Sequence, residues 1–135
     1  MFDRSTSYAP QALALLRIMA GLLLIQHGTQ KLLGFPAPFG MELNGLMVVA
    51  GILEALGGLM IVAGFLTRPV AFVLSGLMAV AYFMAHAPNG FYPILNMGDL
   101  AILFSFVFLY LAAAGPGAWS VDGMRSRGAG RLGTA

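Results

Sequence analysis

The sequence predicts an all-α integral membrane protein: a four-helix bundle with both termini cytoplasmic. Three observations carry this reading. The 135 residues are 59% hydrophobic and 9% charged, where soluble domains carry about 25% charged residues, and the mean hydropathy is +0.87. Four apolar segments, near 11–33, 45–65, 68–87 and 98–115, are long enough to cross a hydrocarbon core about 30 Å thick, which takes roughly 20 helical residues. The cations are lopsided. With four spans, the termini and the 64–69 turn share one side, which holds Arg4, Arg68, Arg125, Arg127 and Arg131, whereas the other side has Lys31 and Glu42. Positive residues collect on cytoplasmic loops, which predicts an inner (plasma) membrane protein with an N-in/C-in topology.

A short cytoplasmic segment, 1–10, precedes the first helix. Arg17 interrupts the apolar run of that helix and no small-x-small site follows, so it reads as a retained span and not as a cleaved signal peptide. Gly34-Phe-Pro-Ala-Pro-Phe-Gly40 stops it with two prolines. The second helix runs to Gly64, and Phe65-Leu-Thr-Arg68-Pro69 makes a tight turn with proline in the first turn of the third. Pro88-Asn-Gly-Phe-Tyr-Pro93 forms the second outer loop, with aromatics suited to the headgroup level. Asn96-Met-Gly-Asp99 reads as the start of the fourth helix, Asn96 as N-cap and Asp99 in the first turn. Gly115-Pro-Gly117 stops that helix. The transmembrane domain thus covers 11–120, and the Gly- and Arg-rich stretch 121–135 reads as a flexible basic tail.

Composition also excludes. There is no cysteine, which removes disulfide, thiol-redox and Cys-ligated zinc or Fe–S chemistry from this chain. The pI near 9.4 comes from scattered cations that form no stripe for nucleic acid.

The informative residues are the polar ones inside apolar helices. Glu54 lies mid-span, too deep for its short side chain to reach water, so it is protonated, paired or facing a polar cavity. Small residues surround it one turn away: Ala50, Gly51, Gly57 and Gly58. On the first helix Gly21, Gly28 and Lys31 fall within about 40° of Arg17, and His27 about 80° to the side. A charged face lined with glycine should point into the bundle and let a neighbouring backbone approach. The plainer alternatives stay open: Arg17 and Lys31 snorkelling to headgroups, or an Arg17–Glu54 ion pair that only fixes packing. His27, His86 and Asp99 should lie at similar depth and, with Glu54, could line a cavity open to the outer leaflet. The i,i+3 or i,i+4 ligand spacing of helical metal sites is absent. A bis-histidine haem on His27 and His86 is a weaker alternative.

The pattern Arg17-x3-Gly21-x5-His27-Gly28-x2-Lys31-Leu-x-Gly34 resembles the DoxX family of small membrane proteins. So do Glu54-x2-Gly57-Gly58-Leu-x4-Gly64 and Gly115-Pro-Gly117-x2-Ser120-x-Asp122, and together the three cover about residues 12–122. The resemblance implies a four-helix membrane bundle associated with membrane oxidoreductase assemblies, including thiosulfate:quinone oxidoreductase subunits. The family's recurring polar residues map onto Arg17, His27, Lys31 and Glu54, and its carboxylate near the start of the last helix onto Asp99. Relatives that handle disulfides carry cysteines, which this chain lacks.

Two function classes follow. In the first, the chain is a redox subunit that binds a quinone or similar lipophilic molecule. Glu54 and His27 move protons, while Arg17, Lys31, His86 and Asp99 hold the ligand. It has no motif for flavin, haem or Fe–S, so electrons come from a partner subunit and turnover alone is not expected. In the second it is a non-catalytic membrane scaffold, in contact with redox partners or with further copies of itself. A small-solute or proton pathway along the same polar line is a third reading.

Overall fold

The computed structural model describes residues 6–132, so the expectation placed on Arg4 lies outside the described residues. Among these residues all regular structure is helical, with no strand. Helix α1 spans Ala9–Leu33 with proline in its first turn, and Gly34 ends it in the left-handed conformation, donating its N–H back into the last turn. Helix α2 spans Gly45–Ala63. Asn44 Oδ1 caps it by accepting the Met47 N–H at 2.9 Å, and a left-handed Gly64 closes it. Helix α3 covers Thr67–Ala81 and runs on through a π-helical turn, Tyr82–His86, and a 3₁₀ turn, Ala87–Asn89. Short α4 is Pro93–Asn96, α5 is Asp99–Ala114 and α6 is Val121–Leu132.

Three helices are long and apolar enough to cross a membrane: Ala9–Leu33, Gly45–Ala63 and Thr67–Asn89. The apolar α5 is shorter, with 16 residues, or about 24 Å of rise. It begins one residue later than the sequence reading and has a different cap. Met97 turns left-handed (φ 59°), so Asn96 closes α4 and Gly98 holds the N-cap position of α5. The Asn96 side chain instead ties the outer loop together. Its Oδ1 accepts the Gly98 N–H at 2.9 Å, and its Nδ2 donates to Gly90 O at 2.8 Å and to the Tyr82 hydroxyl at 3.4 Å. The stretch read as a flexible tail also differs, being helical over 121–132. The reason is local: Ser120 Oγ accepts the Gly123 N–H at 3.0 Å, and Asp122 stands in the first turn, where the helix dipole favours an acid.

Helices α1 and α2 pack antiparallel along glycines seven residues apart on each. Gly21 lies against Gly58, and Gly28 against Gly51. A Cβ at Gly28 would stand 2.6 Å from Ala55 N and 2.7 Å from Gly51 O, so the two backbones are in direct contact. Helices α3 and α5 form the second pair, with Ser75 Oγ donating to Ser105 O at 2.8 Å and Ser105 Oγ to Ser75 O at 3.0 Å. Gly57 admits the Leu74 side chain and so joins α2 to α3. Leu24, Ile61, Leu74, Phe104, Phe108 and Leu111 fill the core between the pairs. Outward-facing Leu22, Leu59, Phe72 and Phe106 are exposed, as apolar side chains facing lipid should be.

Candidate functional site

The polar residues gather in two centres at different depths. The first is Arg17, which is fully buried. Its guanidinium has five N–H donors in a fixed fork, and each meets a backbone carbonyl. Nε donates to Pro116 O at 2.8 Å. Nη1 donates to Ile61 O and Val62 O at 2.6 Å each. Nη2 donates to Trp119 O at 2.8 Å and Ala118 O at 3.2 Å. The carbonyls of Ile61 and Val62 belong to the last turn of α2, where the dipole is negative, and Ile61 O is shared with the Gly64 N–H of the helix cap. Arg17 thus bolts α1 to the end of α2 and to the strap that follows α5. It neither snorkels nor reaches Glu54.

Two residues that the sequence reading gave no site role complete this end. Asp122 accepts the N–H groups of Leu66 and Thr67 at 2.9 Å each, which caps α3, and its own N–H donates to Gly64 O at 2.9 Å. Burial pushes its carboxyl up, but the Thr67 and Leu66 hydrogen bonds and the nearby Arg125 outweigh this and hold it below the usual carboxylate range. Arg68 donates to the carbonyls of Ala112 and Ala113 at the C-terminus of α5. The available signals were the turn glycine at Gly64 and the Ser120-x-Asp122 capping pattern. Neither could reveal a contact spanning 55 residues.

The second centre is Glu54. Its partner is Lys31, whose Nζ lies 2.6 Å from both carboxylate oxygens. The pair is secluded, the side chains being 14% (Lys31) and 4% (Glu54) exposed. The glycine register explains it. With Gly28 against Gly51, Glu54 faces α1 about one turn from Lys31, and the flexible lysine stem spans the gap. His27 lies close enough to feel both charges, and its ring meets Phe104 of α5 edge to face at 6.2 Å.

Above the pair, the end of α1 and the α1–α2 loop enclose an open pocket of about 500 Å³, lined among others by Gln30, Lys31, Phe39, Met41 and Glu42. The Lys31 ammonium stands 5.6 Å from the centre of the Phe39 ring, within cation–π range. The structure therefore pairs Lys31 with Glu54 and leaves His27 within electrostatic reach of both, and of these three it is Lys31 that lines the pocket. His86 is elsewhere, its Nδ1 3.0 Å from Asn96 O and its ring stacked on Tyr82. Asp99 is exposed at the start of α5. Neither lines this pocket or the smaller apolar cleft, about 140 Å³, between α1 and α5.

A buried lysine–carboxylate pair beside a histidine can hold a carbonyl or anionic oxygen and can exchange protons with it. Residues 12–87 match the family model described as DoxX. An uncharacterized protein of Haemophilus influenzae (strain ATCC 51907 / DSM 11121 / KW20 / Rd) is 42% identical over 122 residues, 85% of this chain and 91% of that protein. No solved structure matches. By the extent of the family match and of this relative, the chain belongs to the DoxX family of membrane proteins.

Proposed function

We propose that this DoxX-family membrane protein is a subunit of a membrane-bound oxidoreductase assembly, and that the pocket over Lys31 holds a quinone or a similar lipophilic carbonyl compound. The carrying observation is the secluded Lys31–Glu54 pair at the edge of a pocket with an aromatic wall. In this reading Lys31 Nζ donates to a ligand carbonyl, Phe39 covers the ring and Glu54 balances the ammonium. Glu54 and His27 then take up or release the ligand's protons. Electrons come from a partner subunit. Arg17, with every donor committed to a carbonyl, holds the fold and does not hold ligand.

The topology that accompanies this reading is four spans, N-in/C-in, in the inner membrane. The ends of α1, α2, α3 and α5 that meet at Arg17 and Asp122 carry Arg68, Arg125 and Arg127, and the opposite end carries Glu42 and the paired Lys31. Helix α5 spans with help from the preceding α4 turn and local thinning of the bilayer, at a cost of fractions of a kcal/mol per Å of mismatch.

The test is extraction and mass spectrometry of quinones retained by protein purified in mild detergent, comparing the parent chain with Glu54→Gln and with Lys31→Met/Glu54→Leu. The expected result is stoichiometric quinone on the parent and none on either variant, with the double variant still folded. No quinone on the parent would sink the reading and leave the scaffold alternative, in which the pair only fixes packing.

A further inference from the structure

The bundle end secured by Arg17 also carries a surface with no role so far. Helix α6 is fixed there, because Asp122 is bound to the α2–α3 turn through Leu66, Thr67 and Gly64. It therefore starts at the boundary of the apolar helices and keeps its arginines within a few turns of it. Arg125 and Arg127 are exposed. The Arg125 guanidinium lies over the Phe65 ring at 5.7 Å, and Arg127 Nε donates to Gly123 O at 3.1 Å. Met124, Arg127 and the position of Arg131 fall within about 60° on the helix. Beside them Trp119 is 63% exposed and Met124 60% exposed.

Charge decides what this surface fits. Of the acids within residues 6–132, Glu42, Glu54 and Asp99 belong to the other centre or the other end, and Asp122, bound by backbone N–H groups, lies near Arg125 and offsets one of the arginine charges there, leaving the cations in excess. The surface is thus cationic, edged by a tryptophan and a methionine, and next to the hydrocarbon boundary. Guanidinium groups bind phosphate by paired, charge-assisted hydrogen bonds, tryptophan favours the headgroup level, and basic helices at that level attract anionic lipid. We propose that α6 and the α2–α3 turn form an interfacial foot that binds anionic phospholipid headgroups, with Arg125 and Arg127 on the phosphates and Trp119 and Met124 seated among the lipids.

The sequence contains one tryptophan, so the intrinsic emission of the full chain reports on this foot alone. The experiment reconstitutes the protein in phosphatidylcholine vesicles doped with equal fractions of acyl-brominated phosphatidylglycerol or acyl-brominated phosphatidylcholine. Trp119 should be quenched by both, with a preference for phosphatidylglycerol of about fivefold or more at low salt that shrinks as salt rises. Arg125→Gln/Arg127→Gln should bring the ratio to about one, and Arg125→Lys/Arg127→Lys should keep most of it. Equal quenching of the parent chain by the two lipids would overturn the proposal, as would a preference that survives the glutamine pair. Absence of quenching by either lipid would also overturn it and assign the cationic surface to an acidic protein partner.

Discussion

Replacing Arg17 by lysine keeps the charge and removes the fork. Lysine has three N–H donors, so at least two of the five carbonyls now served by the guanidinium lose their partner. A hydrogen bond from a charged donor contributes about 1.5–3 kcal/mol, so two lost bonds amount to about 3–6 kcal/mol. That is a large share of the 5–15 kcal/mol typical of a small domain. The shorter reach of an ammonium adds to the loss, because the acceptors lie on two separate segments, Ile61–Val62 and Pro116–Trp119. The assay is denaturant unfolding in detergent followed by Trp119 emission, since the Trp119 carbonyl is one of the five acceptors, with far-UV circular dichroism as the second probe. Arg17→Lys should lower the unfolding free energy by several kcal/mol. Arg17→Met, which forfeits all five bonds, should not accumulate as folded protein. A loss under about 1 kcal/mol in the lysine variant would refute the fork as the fastener of this end.

Three further outcomes follow from the same geometry. Gly64→Ala should be strongly destabilising, because its φ is +67° and the new Cβ would collide with Ser120 Cβ and crowd Arg17 Nη1; thermal melts should show a loss larger than the backbone cost of about 1–2 kcal/mol, and Ser120→Gly should not rescue it, because the Arg17 contact remains and the Ser120 Oγ cap on Gly123 is lost. Gly28→Ala should separate α1 from α2 and lower the melting temperature sharply, whereas Gly76→Ala, with open space around its Cβ, should be neutral or stabilise by up to about 1 kcal/mol. Because the folded-state carboxyl of Asp122 is held below its ordinary range, its stabilisation should be fully present above the unfolded value near about 3.9 and fade as pH falls through the lower folded value. Unfolding titrations from pH 7 downward should therefore be flat for this group until about pH 4, and Asp122→Asn should remove its part of the acid-side decline.

The long helices are legible in the sequence because a bilayer demands runs of apolar residues and glycine and proline punctuate them. The special depth of Glu54 is legible for the same reason. Its partner is not. Arg17 and Lys31 share one helix face, and choosing between them needs the register of α1 on α2, which the apposition of Gly28 with Gly51 fixes only once the helices have met. The fate of Arg17 depends on carbonyls up to 102 residues away, in a strap whose residues have no charge to advertise the contact. Backbone acceptors leave no trace in residue type, so a sequence pairs the arginine with a carboxylate when its real partners are peptide groups. The N-cap of α5 is mistaken for a related reason: Asn96 favours both capping and loop bonding, and the left-handed Met97 decides for the loop.

The wiring of Arg17 also sets an order of events during synthesis. Two of its acceptors, Ile61 and Val62, emerge with the second helix, but Pro116, Ala118 and Trp119 come about 100 residues after the arginine itself. Until the strap has been made, three of the five N–H groups of a membrane-embedded guanidinium wait for their carbonyls. A nascent chain halted before the strap thus exposes a charge in the bilayer that the finished protein conceals.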